Sequence, residues 1–186
     1  MIKNKKIVIL FSGEGSNLSY ILEALHKKEL EVVMALTNNI NAKGINIAKS
    51  YGVPVEIVNA KDFSSREAFD AEVVKQIEPY APDLTVLAGF MRILTPVFTE
   101  NIQAINLHPS LLPRHKGLRA IENSFEDAYD VGGITIHHVT SDLDGGEVIV
   151  QREISKENLT LEDYTKEVKK VEKIVLAEAI KKVLKS

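Results

Sequence analysis

Asn106 and His108 stand two residues apart in Ile105-Asn106-Leu107-His108-Pro109-Ser110. In an extended chain such residues point to the same side, so an amide and an imidazole would share one face. The pair suits acyl transfer: the amide N–H can stabilise an oxyanion and the imidazole can carry a proton. The same spacing also suits a structural pair, with Asn106 capping a turn and His108 packed under Pro109 and Pro113. A second candidate is Asp144, in Ser141-Asp142-Leu143-Asp144-Gly145-Gly146. A carboxylate brought beside an imidazole orients it and favours its charged form, whereas Asp and Gly also dominate ordinary turns.

A third candidate is the loop Ser12-Gly13-Glu14-Gly15-Ser16-Asn17. A loop that opens a helix offers its backbone N–H groups and the helix dipole to an anion. No Gly-Lys-Ser/Thr follows, so it is not a P-loop, and Leu18 stands where a dinucleotide fingerprint has its third glycine. Two readings remain: a monophosphate held by Gly15, Ser16 and Asn17, or a tight strand-to-helix turn. His137 and His138 are adjacent and would face opposite sides of a strand, so they cannot share a metal. His115 falls in a polar loop and His26 near a helix end; neither is read as catalytic. The spacing of metal ligands is absent, and so is cysteine, which removes thiolate nucleophiles and disulfides.

The elements that must position these residues follow from the hydrophobic pattern. Residues 7–11 form a β-branched run expected of a strand buried on both faces, and Leu18, Ile21, Leu22 and Leu25 then fall at helical spacing. Strands are predicted at 32–36, 53–58, 84–88 and 104–107, with helices at 41–51, after Ser64 or Ser65, and at 118–129. Two further strands, 133–139 and 148–154, flank the Asp144 loop, and a helix runs from 161 to the end. Alternating strands and helices predict an α/β fold, doubly wound, with a mostly parallel sheet, helices on both faces and a Rossmann-type N-terminal half. The lysines of the last helix alternate with Glu167, Glu172 and Glu178, which reads as a solvated face.

With 186 residues the chain is read as one domain. Within 1–186, residues 1–100 form a phosphate-binding half and 101–186 a half carrying the catalytic residues and a loop. Hydrophobic residues at 45% and charged ones at 26% exclude wholesale disorder. Lys and Arg number 23 against 26 Asp and Glu, so no basic nucleic-acid footprint exists. The apolar run after Met1-Ile2-Lys3-Asn4-Lys5-Lys6 is too short for a signal peptide, and no run approaches the roughly 20 residues of a membrane span. A cytoplasmic protein is expected, a monomer or homodimer with small-molecule substrates and no nucleic-acid or membrane partner.

Four segments together resemble the phosphoribosylglycinamide formyltransferases, a folate-dependent formyltransferase family. They are Ser12 to Leu18, Leu87-Ala88-Gly89-Phe90-Met91-Arg92-Ile93-Leu94, Asn106-Leu107-His108-Pro109-Ser110-Leu111-Leu112-Pro113 and Asp142-Leu143-Asp144-Gly145-Gly146. The resemblance runs essentially end to end, in the family's order. It implies direct formyl transfer from 10-formyltetrahydrofolate, as co-substrate and without a metal, to the amine of glycinamide ribonucleotide in purine synthesis. It implies Asn106, His108 and Asp144 as catalytic residues, Gly15, Ser16 and Asn17 as the phosphate loop, and Glu172 as the holder of the ribose. It places Arg66, Met91, Arg92, Ile93, Leu94 and Asn106 on the folate side. The family usually runs Gly-Leu-His-Thr-His-Arg where this chain has Gly117-Leu118-Arg119-Ala120-Ile121-Glu122. A formyltetrahydrofolate hydrolase, a sister formyltransferase with another acceptor and a non-catalytic phosphometabolite-binding module are the alternatives.

Overall fold

The computed structural model describes residues 4–186; residues 1–3, the start of the segment weighed as a signal peptide, lie outside them. The chain runs β1 (Lys6–Phe11), α1 (Ser16–Ala24), β2 (Glu31–Thr37), α2 (Gly44–Ser50), β3 (Val55–Ile57), α3 (Arg66–Ile77) and β4 (Leu84–Leu87). It continues through α4 (Pro96–Thr99), β5 (Ala104–His108), α5 (Ala120–Glu126), β6 (Val131–His138), β7 (Val148–Ser155) and α6 (Leu161–Lys185). The seven strands make one sheet in the order β3-β2-β1-β4-β5-β6-β7. The first five pair in parallel, and β6 and β7 are antiparallel additions. The fold is therefore α/β with a mostly parallel sheet, as the pattern predicts.

Residues of β1 alternate between two cores. Ile7, Ile9 and Phe11 pack with Leu18, Ile21 and Leu22 of α1 and Val168, Val175 and Leu176 of α6. Val8 and Leu10 pack on the other face with Phe69, Val73 and Ile77 of α3 and Phe98 of α4. Each such side chain contributes about 1.5–3 kcal/mol on burial, which is why helices as short as α2 and α4 hold their places. Ser65 caps α3, accepting the Ala68 N–H at 3.1 Å, and Thr160 with Asp163 forms a capping box on α6.

Several boundaries differ from the sequence expectation. The helix predicted at 41–51 starts at Gly44, and the strand predicted at 53–58 keeps only Val55–Ile57. The helix predicted at 118–129 shrinks to Ala120–Glu126, because Gly117 and Arg119 are both left-handed and Asp127 is extended. The strand predicted at 104–107 extends to His108, which pairs with Thr135 of β6 before Pro109 removes the next N–H. That extra residue puts Asn106 and His108 on one strand face, the condition the catalytic reading required. No helix among the described residues is long and apolar enough to cross a membrane.

Candidate active site

The order 3-2-1-4-5 reverses direction between β1 and β4, and ligands of such sheets bind beyond the strands' carboxyl ends at that point. A cleft of about 940 Å³ lies there. Its wall includes Asn17, Arg66, Met91, Arg92, Ile93, Leu94, Asn106, His108, Asp144 and Glu172. Gly15 and Ser16 are not part of the wall; they precede Asn17 at the start of α1.

His108 is buried, and both its ring nitrogens face acceptors. Nε2 lies 2.8 Å from the His115 carbonyl, and Nδ1 lies 3.4 Å from Asp144 Oδ2. A carbonyl and a carboxylate only accept, so this surrounding suits two ring N–H groups. Asp144 comes from the loop between β6 and β7, where it is left-handed at φ 48° and accepts the Gly117 N–H at 2.8 Å. Burial alone would raise its carboxyl. The His137 ring, the Gly117 N–H and the charge of His108 outweigh that and hold it below the ordinary carboxylate value.

His137 was considered from the sequence only as a metal ligand, and the structure gives it another place. It stands directly opposite Asn106 across the β5–β6 ladder, with Asn106 Nδ2 3.2 Å from His137 Nε2. His137 Nδ1 faces the His138 carbonyl at 2.9 Å, and Nε2 also lies 3.6 Å from Asp144 Oδ1. The Asn106 atom facing Nε2 is the amide nitrogen. One amide hydrogen remains for the cleft. The signal that could have located His137 was antiparallel pairing of 133–139 with 104–107, which brings position 137 opposite 106.

At the other end of the cleft Asn17 Nδ2 donates to Glu172 Oε2 at 3.3 Å, and Lys169 Nζ lies 3.6 Å from the same oxygen. Burial raises the Glu172 carboxyl, against the opposing pull of Lys169 and Asn17. The buried Asn17 Oδ1 has no protein partner. No side chain caps α1, which leaves N–H groups of its first turn open beside Asn17. Gly15 makes this loop possible: it is left-handed at φ 75°, and a Cβ there would stand 2.7 Å from the Gly44 Cα.

Between the two ends the wall is apolar. Met91, Ile93, Leu118 and Leu143 are exposed by 66, 52, 76 and 48% although they surround the same cleft. Exposed apolar side chains gathered in one concavity mark a ligand surface, and these suit a flat, largely apolar group. Ser12 fixes the loop that carries them: its N–H donates to the Gly89 carbonyl at 3.0 Å and its Oγ accepts the Met91 N–H at 2.8 Å. The Arg92 guanidinium lies over the Phe69 ring at 4.8 Å. Arg119 and Glu122, within the segment that departs from the family pattern, also line the cleft.

Behind His108, outside the cleft wall, a charged cluster forms around Asp127. Its carboxylate meets Lys156 Nζ at 2.7 Å, His115 Nε2 at 2.6 Å and Arg114 at 3.3 Å. Burial alone would raise this carboxyl, but the Lys156 and His115 contacts and the Tyr129 N–H bring it down to about 2. Its folded value is depressed below the ordinary 3.8, so its contribution to stability is complete above pH 3.8 and is lost as pH falls through about 2. After solvent screening the contribution is roughly 1–2 kcal/mol. Urea unfolding between pH 2 and 5 should show the Asp127→Asn protein losing less stability on acidification than the wild type; parallel curves would refute the linkage.

The formyl transferase family matches residues 5–180. Over 171 residues the chain is 39% identical to the phosphoribosylglycinamide formyltransferase of Escherichia coli (strain K12), covering 87% of this chain and 81% of that protein. It is 33% identical over 186 residues to the trifunctional purine biosynthetic protein adenosine-3 of Bos taurus, which spans 97% of this chain and 18% of that longer protein. The crystal structure of phosphoribosylglycinamide formyltransferase from Campylobacter jejuni subsp. jejuni NCTC 11168 superposes with a TM-score of 0.93 at 46% identity, covering 95% of both chains. The end-to-end match, the identities and the shared fold have one meaning: the chain belongs to the formyl transferase family, among its phosphoribosylglycinamide formyltransferases.

Proposed function

We propose that this chain transfers a formyl group from 10-formyltetrahydrofolate to the amine of 5′-phosphoribosylglycinamide, a step of purine synthesis in the cytoplasm. The observation that carries the proposal is the meeting of Asn106, His108 and Asp144 between a polar end at Asn17 and Glu172 and an apolar wall at Met91 to Leu94. Residues 1–100 supply the phosphate loop and 101–186 the catalytic set, with Glu172 reaching back to the first half. The open N–H groups of α1 and Asn17 take the phosphate, Glu172 takes the ribose hydroxyls, and the apolar wall with Arg66 takes the folate.

The reaction is a direct attack. The chain has no cysteine and the cleft shows no serine beside a base, so the substrate amine is itself the nucleophile. Holding two molecules in register supplies much of the rate. As the amine nitrogen bonds to the formyl carbon, charge develops on the formyl oxygen, and the free Asn106 amide hydrogen and the His108 Nδ1–H are the donors that meet it. The bond from the carbon to N10 then breaks. His108 delivers a proton to N10 and recovers one from the attacking amine. Asp144 stabilises the charged imidazole throughout.

The test is to incubate the protein with 10-formyltetrahydrofolate, with and without glycinamide ribonucleotide, and follow loss of the formyl group. Transfer only when the acceptor is present supports the proposal; loss with water alone identifies a hydrolase, and no loss a binding module. The substrate ends are separable. Asn17→Asp places a second carboxylate beside Glu172 and opposes the phosphate. We expect KM for glycinamide ribonucleotide to rise at least about tenfold, equal to about 1.4 kcal/mol, while KM for the folate stays within about twofold. Equal weakening of both, with circular dichroism unchanged, would remove the phosphate from this loop.

A further inference from the structure

His108 is held from behind as well as from the cleft. The His115 carbonyl that accepts its Nε2–H belongs to a residue in the left-handed region, at φ 55°. For a side chain with a Cβ that conformation costs about 1–2 kcal/mol, so something must hold it. The His115 ring donates through Nε2 to Asp127 Oδ2 at 2.6 Å. Asp127 is in turn anchored by Lys156, whose ammonium also meets the Ser124 carbonyl at 2.8 Å and the Asp127 carbonyl at 3.1 Å. Arg114, the preceding residue, donates to Asp127 Oδ2 at 3.3 Å and to the Val131 carbonyl at 2.9 Å. The carbonyl of Arg114 accepts from Ser110 Oγ, which also lies 3.4 Å from the His115 carbonyl.

We infer that Asp127, acting through His115, is a positioning residue for His108: it fixes the carbonyl that keeps a proton on Nε2 and so aims Nδ1 at Asp144 and the cleft. The inference rests on the reading of His108 as the proton carrier. Asp127 does not line the cleft, and its influence passes through one side chain and one backbone carbonyl. Its carboxylate stays ionised throughout the neutral range. A purely structural Asp127 would only cement the end of α5 to the end of β7 through Lys156, and the two roles separate at His115. Removing that ring leaves the Lys156 and Arg114 contacts in place.

The experiment uses His115→Ala and His115→Gln in the full chain. In the alanine protein we expect kcat to fall about tenfold, in keeping with a disturbed orientation, with both KM values within about twofold. The His108 Nε2–H signal in 15N-edited NMR should broaden as the ring loses its fixed acceptor. Glutamine, whose amide N–H can reach Asp127, should recover most of the turnover and sharpen that signal. An unchanged His108 signal with wild-type kcat in His115→Ala would overturn the inference, as would a glutamine protein no better than the alanine one. His108→Ala judges the underlying reading separately, since the NMR signal decides the tether whether or not His108 proves essential.

Discussion

Replacing His108 with alanine lowers turnover by about 10²–10⁴-fold, the range for loss of a positioned acid–base group. Both ring nitrogens have partners, the His115 carbonyl on one side and Asp144 on the other. The nearest other imidazole, His137, has Nδ1 on the His138 carbonyl and Nε2 between Asn106 and Asp144 Oδ1, so it does not occupy the place of His108. The substitution takes the closest donor from the His115 carbonyl and one of two from Asp144 Oδ2, which keeps the Gly117 N–H, and costs stability of about 1–3 kcal/mol. Loss of activity therefore has to be read beside a melting curve. A folded His108→Ala protein with wild-type kcat would end the mechanism proposed here.

Asp144→Asn is expected to lower kcat by about 10²–10³-fold with little change in fold, again within the span of acid–base effects. The position makes the test unusually clean. Asp144 is left-handed, and asparagine is among the residues that accept that conformation best. The variant thus removes charge while keeping the turn. The carboxylate is held below its usual value, so the stability it adds is complete above the ordinary carboxyl value of 3.8 and is lost as pH falls through its lower folded value. The asparagine protein should lack that acid-side loss. Equal kcat in the two proteins would leave Asp144 as a turn residue of its loop.

The first half of the fold was readable because its strands are buried on both faces and its helices carry their apolar residues at regular spacing. Ile7 to Phe11 and Leu18 to Leu25 are such segments. The second half was less so. Gly132 and Gly133 interrupt the pattern of β6, and nothing local states that β6 turns antiparallel to β5. That pairing brings His137 opposite Asn106, so a sequence reading confined to neighbours along the chain assigns His137 no partner. The four-residue α4 is too short for periodicity to declare. The left-handed Arg119 cut the predicted 118–129 helix short from within a segment of ordinary helix formers. The candidate site was legible where two residues lie on one strand, as Asn106 and His108 do. Contacts that close through 155 residues of chain, as between Asn17 and Glu172, have no local signature.

That last contact has a consequence for how the protein comes into being. Asn17 and Glu172 meet although 155 residues separate them, and α6, which carries Glu172, also seals one face of the sheet with Tyr164, Val168, Leu176 and Ile180. During synthesis, β1 through β5 can associate as they emerge, since the pairings β1–β2, β2–β3, β1–β4 and β4–β5 close among residues already made. The Asn17 end of the cleft lacks its partner until the ribosome has passed Glu172. A nascent or prematurely terminated chain can therefore hold Asn106 and His108 on a formed strand and still be unable to grip its acceptor. That end of the site is thus completed only once Glu172 is made, well after Asn106 and His108 come to share a strand.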